Sequence, residues 1–76
     1  MSPKLPQVKG DRLVGAFIKL GWYIDRRSGS HVIMRNENKK QIRLVIPIHG
    51  KSVRPGTLGN ILKHAQISVE ELKELL

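Results

Sequence analysis

The sequence predicts a small α+β domain in which a three-stranded antiparallel sheet carries helices on one face. Three observations indicate this class: helical apolar stripes near both ends of the chain, strand-like alternation between them, and turn residues that separate three extended segments. A chain of 76 residues is long enough for only one small hydrophobic core. Residues 1–76 are therefore predicted to form a single domain.

The first predicted helix covers residues 10–20. Its apolar residues recur at i, i+3, i+4 and i+7 and so form one stripe: Leu13, Ala16, Phe17 and Leu20. Gly21 follows directly, where a glycine commonly ends a helix.

Three strands are predicted next, over residues 22–27, 31–36 and 41–48. The first is expected to alternate Trp22 and Ile24 against Tyr23 and Asp25. In the second, Val32 and Met34 compete with Ile33 for the core, and the pattern leaves the choice open. In the third, one face carries only apolar residues and should lie on the helices: Ile42, Leu44, Ile46 and Ile48. Pro47 lacks an N–H group, which indicates a strand end or an edge strand.

Two further helices are predicted after the sheet. The first has a buried stripe of Leu58, Ile61, Leu62 and Ala65. Gly56 and Thr57 precede this stripe and are the N-cap candidates. Ser68 is followed three residues later by Glu71, a capping box that predicts a short third helix.

The charge of the chain favours nucleic acid as its partner. Residues 1–65 hold thirteen Lys/Arg and only three Asp/Glu side chains, within a total formal charge of +8. Such a field attracts polyanions, whereas the few aromatic residues and the lack of a broad basic amphipathic helix argue against a membrane surface. The N-terminal segment has no apolar block of the secretory type, so a cytoplasmic location is predicted.

Most forms of catalytic chemistry find no support in the sequence. The chain has no cysteine, and its three histidines at positions 31, 49 and 64 form no close ligand pair, so neither a metal site nor another cofactor is predicted. Imidazoles and cations remain, and these suit the cleavage of RNA, which carries its own nucleophile in the 2′-hydroxyl group. Histidine takes either proton-transfer role near neutral pH, and Arg and Lys stabilise the charge that develops at phosphorus.

The histidines differ in their surroundings. His31 follows Gly29 and Ser30, a predicted tight turn, and stands at the start of a strand, so it is the first catalytic candidate. His49 heads a basic loop and is a candidate second proton carrier. His64, near a helix C-terminus, is explained by its interaction with the helix dipole.

RNA binding is predicted to involve basic residues and one helix N-terminus. Arg26, Arg27, Lys51 and Arg54 are the candidate phosphate ligands. The backbone N–H groups around Gly56 and Thr57 would add a phosphate site, because helix N-termini bind anions.

Taken in order, the segments "GWYIDRRSGSHVIM" and "VIPIHGKSVRPGTLGNILKHAQIS" resemble the HicA family of toxins, the mRNA interferases of HicA–HicB modules. The resemblance runs from about Leu13 to Leu76 and includes Gly29-Ser30-His31, Pro47-Ile48-His49 and Gly56-Thr57-Leu58. It implies a double-stranded-RNA-binding-domain-like α-β-β-β-α fold and metal-independent RNA cleavage by His31. It also implies a HicB antitoxin that covers the site. Gln66 stands where relatives commonly carry glycine, which leaves the end of the second helix open to question.

Two other functions remain open from the sequence. A non-catalytic module that binds double-stranded RNA would use the same fold and charge, and it would read the shape of the duplex. Sequence-specific DNA binding is less well supported, because neither long helix carries an outward row of base-reading side chains.

Overall fold

The chain forms three helices and one sheet. A computed structural model of the protein describes residues 4–76; residues 1–3 of the predicted domain lie outside that range. The elements are α1 (Gly10–Lys19), β1 (Tyr23–Ser28), β2 (His31–Arg35), β3 (Arg43–Pro47), α2 (Pro55–Ala65) and α3 (Val69–Leu75). The strands are antiparallel in the order β1-β2-β3. The predicted α+β class is confirmed, with the α-β-β-β-α layout of a double-stranded-RNA-binding domain. No helix within residues 4–76 is long and apolar enough to cross a membrane.

The core lies between one face of the sheet and the helices. The residues of β2 and β3 that face the core alternate along each strand, as they must when one face of a sheet is covered: Val32, Met34, Leu44 and Ile46. They pack with residues from all three helices, among them Leu13, Phe17, Leu58, Leu62 and Leu72. Ile42 and Ile48 are partly buried against the same cluster, so the predicted apolar face of the third strand is confirmed. Pro47 is the last residue of β3, an edge strand, as its missing N–H predicts.

The first helix is one residue shorter than predicted. Leu13, Ala16 and Phe17 are buried, but Leu20 lies past the last helical residue and is 36% exposed, so its assignment to the stripe was wrong. Gly21 has a φ of +96°, the conformation for which a glycine at a helix end is favoured.

The prediction for β1 was wrong in its start and in its buried residues. Trp22 precedes the strand, is buried, and packs edge-to-face on Phe17 with the ring centroids 6.0 Å apart. Ile24 is 43% exposed, and the pairing with β2 shifts between Ile24 and Arg26, where Asp25 is the extra residue of a β-bulge. The helices pack mainly on β3, so they leave the inner face of β1 uncovered. All six residues of β1 are therefore exposed, although apolar and polar residues alternate at its start.

All three competing residues of β2 are buried. Val32 and Met34 belong to the main core, while Ile33 points to the opposite face, where it lies between its strand partners Arg26 and Val45. This face of β2 and β3, here named the open face, carries His31, Ile33 and Arg35 on β2 and Arg43, Val45 and Pro47 on β3.

The two C-terminal helices begin differently. The N-cap of α2 is Arg54, with Pro55 in the first turn and no side-chain cap, so the expected capping by Gly56 or Thr57 was wrong. Proline suits that position because its fixed φ is helical and its missing N–H would have had no partner. The predicted stripe of Leu58, Ile61, Leu62 and Ala65 is buried.

The connection from α2 to α3 also involves a residue in the left-handed conformation. Gln66 has φ 62° and ψ 40°, so a glutamine adopts at the helix end the conformation that usually favours glycine. The capping box of α3 is confirmed, because the Ser68 hydroxyl accepts from the Glu71 backbone and the Glu71 carboxylate accepts from the Ser68 N–H, each at 3.0 Å.

Candidate active site

A two-residue hairpin turn positions His31. Gly29 and Ser30 connect β1 to β2, and Ser28 pairs directly with His31. The φ of Gly29 is +59° and that of Ser30 is not positive, which is the pattern of a type II′ turn with glycine at its first central position. His31 is therefore the first residue of its strand, as the sequence predicts, and it is exposed on the open face.

Backbone pairing brings the segment of His49 to the same end of the sheet. His31 lies opposite Pro47 across the β2–β3 ladder. The N–H of Ile48 donates to the carbonyl oxygen of Ser30 at 2.7 Å, so the residues that precede His31 and His49 are joined by a hydrogen bond. Ser30 thus supports the site through its carbonyl group.

Four of the predicted site residues line one pocket where the open face meets the start of α2. This pocket, here named the histidine pocket, has a volume of about 310 Å³. Its lining consists of His31, Val45, Pro47, His49, Arg54 and Thr57. Two imidazoles, a guanidinium group and a hydroxyl group therefore meet around one space that is open to solvent, and no acidic side chain lines it.

The first turn of α2 lies beside the histidine pocket, because Arg54 and Thr57 line it. The N–H groups of Gly56 and Thr57 belong to the turn whose donors have no partner within the helix, and no acidic residue lies in that turn. A Cβ at Gly56 would meet no heavy atom within 4 Å, so packing does not require glycine at this position. Gly56 is exposed and has no side chain to cover the adjacent N–H groups.

The other predicted phosphate ligands lie elsewhere. Arg27 and Lys51 line a second pocket of about 360 Å³ together with Lys9, here named the lysine pocket, which lies beside the start of α1. Arg26 is next to Arg27 on β1 and pairs with Ile33, so it lies on the open face. The structure thus divides the predicted phosphate ligands among two pockets and the open face of the sheet.

Acidic groups at the sheet concentrate at the end far from His31. Asp25 forms an ion pair with Arg35 at 3.3 Å, and Glu37 lies 3.9 Å from Lys40. Partial desolvation, together with the charge of Glu37, raises the pKa of Tyr23 above its ordinary value. The pairs Asp25–Arg35 and Glu37–Lys40 are the only ion pairs within residues 4–76. The basic side chains that line the two pockets therefore form no ion pair within this part of the chain.

The arrangement has the groups that phosphodiester cleavage requires. An imidazole removes a proton, a second one supplies a proton, and a guanidinium group stabilises the additional negative charge on phosphorus. Within the described part of the chain, no three His, Asp or Glu side chains are close enough together to hold a metal ion.

Gly10 has a structural role near this site that no sequence pattern predicted. A Cβ on Gly10 would lie 1.8 Å from the carbonyl oxygen of Pro47, so α1 begins in direct backbone contact with the end of β3. That contact fixes the strand end from which the His49 loop departs. A glycine ahead of a helix is common in any case, so the sequence held no signal of this packing.

The fold and the basic pocket define a class: a small cationic protein built like a double-stranded-RNA-binding domain. Residues 10–67 match the family model described as the HicA toxin of bacterial toxin–antitoxin systems. This match covers most of the chain, so the protein belongs to the HicA toxin family and is the toxin of a toxin–antitoxin module, with an antitoxin as its partner. A comparison with curated protein sequences gives no match.

Proposed function

We propose that this toxin is a metal-independent endoribonuclease that cleaves mRNA and that His31 is its catalytic residue. The observation that carries the proposal is the histidine pocket, where His31 shares one space with His49, Arg54 and Thr57 in a chain of the HicA toxin family.

In this proposal His31 acts on the nucleophile that RNA itself supplies. The imidazole accepts the proton of the 2′-hydroxyl group, whose oxygen attacks the adjacent phosphorus atom. The bond from phosphorus to the 5′-oxygen breaks, and that oxygen takes a proton from His49. The products are a 2′,3′-cyclic phosphate and a 5′-hydroxyl group. No step requires an outside co-reactant, because the nucleophile belongs to the substrate.

Arg54 and Thr57 bind the scissile phosphate. The guanidinium group of Arg54 forms charge-assisted hydrogen bonds with phosphate oxygens and stabilises the phosphorane. Thr57 adds its hydroxyl group, and the free N–H groups of the first turn, including that of Gly56, add donors. Arg26, Arg27 and Lys51 bind neighbouring phosphates, because they lie on the open face and in the lysine pocket on either side of the same sheet end.

The antitoxin is proposed to be HicB-like and to cover the histidine pocket with an acidic surface. The excess of positive charge over residues 1–65 attracts such a surface, and electrostatic complementarity gives fast association. A complex that contains stoichiometric antitoxin should therefore not cleave RNA.

The direct test is incubation of the purified toxin with single-stranded RNA in the presence of EDTA. Wild-type protein should cleave, and His31→Ala should lower the rate ~10²–10⁴-fold, the usual contribution of general acid–base catalysis. Arg12→Ala is the matched control, because Arg12 is an exposed residue of α1 outside the histidine pocket. RNA with 2′-O-methyl groups should resist cleavage, since it lacks the free nucleophile.

The pH profile separates the two histidines. With one imidazole as base and one as acid, the rate passes through a maximum, and His49→Ala should remove the limb that requires the protonated acid. If His31→Ala cleaves normally and His49→Ala does not, His31 is not catalytic and His49 is the catalytic histidine. If EDTA abolishes cleavage, the metal-independent mechanism is wrong.

A second candidate function is the non-catalytic binding of double-stranded RNA, which the α-β-β-β-α layout favours. Such a module would bind a duplex more tightly than a single strand and would leave both intact. The same incubation with duplex and single-stranded RNA therefore distinguishes the two functions.

A further inference from the structure

The histidine pocket continues into a groove between β3 and α2. It shares Val45 and Thr57 with a neighbouring pocket that is also lined by Arg43, Asn60 and His64. Arg43 and His64 in turn line a third pocket, which ends at Lys63 and Gln66. These connected depressions are named here the β3–α2 groove, defined by Arg43 and Val45 on one side and by Thr57, Asn60 and His64 on the other.

One face of α2 supplies the helical side of this groove. Thr57, Asn60 and His64 are spaced i, i+3 and i+7, so they lie along one line of the helix, next to the stripe that packs in the core. At ~1.5 Å per residue, the line from Thr57 to His64 is ~10 Å long. The groove thus extends away from the histidine pocket along α2.

The lining of the groove carries no negative charge. No acidic residue lines any of its three pockets, and α2 contains none, although α3 contains three in seven residues. By contrast, Asp11 lines the lysine pocket. The groove is therefore a continuous surface on which a polyanion meets cations and neutral polar groups but no negative side chain.

The position of Arg43 destabilises the sheet. It lies directly opposite Arg35 in the β2–β3 ladder, and like charges in such a pair destabilise a sheet. Arg35 is compensated by Asp25 at 3.3 Å, whereas Arg43 has no ion-pair partner within residues 4–76. An unfavourable placement of this kind is expected where a side chain serves binding.

Asn60 is the side chain best placed to contact a base. It is exposed and lines the pocket that adjoins the histidine pocket, whereas the amides Gln41 and Gln66 line only the far pocket. An asparagine amide offers both donors and an acceptor, which match the edge of a base. Sequence-specific recognition of RNA targets single strands, in which these edges are accessible.

We propose that the β3–α2 groove binds the single-stranded RNA segment next to the scissile phosphate, with Arg43 on its backbone and Asn60 on the edge of a base. Asn60 is then a residue that determines which sequences this toxin cleaves. This inference rests on the proposed ribonuclease function, because it takes the histidine pocket as the place of cleavage.

The test uses the full chain with His31→Ala, so that RNA stays intact while its binding is measured by fluorescence anisotropy. The probes are short labelled single-stranded RNAs of one length, with each base placed in turn at each position. In this background Asn60→Ala should reduce the preference among the probes ~5–150-fold, the range for loss of a good amide–base contact. Asn38→Ala, an exposed asparagine in the β2–β3 turn, should leave the preference unchanged.

Arg43→Ala should weaken binding of all probes alike and lower the slope of log affinity against log salt by ~0.7, the value for one phosphate contact on a single strand. Arg12→Ala serves as the charge-matched control, and circular dichroism verifies that each variant is folded. Cleavage by the wild-type protein is measured in parallel with EDTA.

The outcomes separate the two proposals. If wild-type protein cleaves RNA while Asn60→Ala keeps the full base preference and Arg43→Ala keeps the full slope, the groove proposal is overturned and the ribonuclease proposal stands. If wild-type protein does not cleave but both variants have the expected effects on binding, the ribonuclease proposal is overturned and the groove remains a binding site for single-stranded RNA. If both variants impair binding of the antitoxin and leave RNA binding unchanged, the groove binds protein and the proposal is wrong.

Discussion

The contact of α1 with the end of β3 gives a sharp prediction about two glycines in the same helix. Gly10 begins α1, and a Cβ there would lie 1.8 Å from the carbonyl oxygen of Pro47 and 3.0 Å from the Cα of Ile48. Gly15 lies in the middle of α1, where a Cβ would meet no heavy atom within 4 Å. The same substitution, glycine to alanine, should therefore have opposite effects at the two positions.

The expected magnitudes follow from this geometry. In Gly10→Ala the backbone of Pro47 or of α1 must move by more than 1 Å to restore a normal contact, and such overpacking costs ~1–3 kcal/mol. In Gly15→Ala the free energy of unfolding should rise by up to ~1 kcal/mol, because alanine has the higher helix propensity. A domain of this size has a total stability of roughly 4–11 kcal/mol, so both changes are measurable.

Urea unfolding followed by circular dichroism measures both variants against wild type. In thermal unfolding each kcal/mol should shift Tm by ~4–8 °C. Gly10→Ala should also slow RNA cleavage, because the contact fixes the strand end that leads to His49. If Gly10→Ala stabilises the protein as much as Gly15→Ala does, the close backbone approach has no energetic consequence and the reasoning fails.

Two further predictions concern the turn and the last helix. Gly29→Ala should cost ~1–2 kcal/mol, because alanine must adopt a φ of +59°, and it should slow cleavage by moving His31; unchanged stability and rate would contradict the type II′ turn. Ser68→Ala should cost ~1 kcal/mol in urea unfolding through loss of the capping box. Its cleavage rate at a temperature where it is folded should equal that of wild type, since no residue of α3 lines the histidine pocket, and a large rate loss would show otherwise.

Much of the site was predictable because its determinants are local in the chain. Gly29 and Ser30 specify a tight turn, and a tight turn places His31 at the first position of the next strand whatever the rest of the fold does. His49 was predicted as a candidate second proton carrier from its basic loop, and its sequence position does not reveal that it lies near His31. In the structure the link is the hydrogen bond from Ile48 to Ser30, which joins segments far apart in the sequence.

Sequence patterns could not predict which basic side chains line the same pocket. Arg54 lies in the histidine pocket while Lys51, three residues earlier, lies in the lysine pocket with Arg27. His64 was interpreted only through the helix dipole, but α2 packs beside β3, and this places His64 on the same groove as Arg43. Such proximities depend on how elements pack, and nothing in the local spacing of charges encodes them.

The sequence by itself determined the helices, the alternating third strand, the capping box of α3 and the turn before His31, because each depends on interactions within a few residues. Only the tertiary structure decided that Trp22 is buried while Ile24 is exposed, since burial on β1 depends on helices that pack mainly on β3. It also decided that Gly10 must be a glycine. The atom that excludes a side chain there is the carbonyl oxygen of Pro47, which lies at the end of β3 and far from Gly10 along the chain. Contacts of that kind arise from packing between distant segments, and the spacing of residue types along the chain does not reveal them.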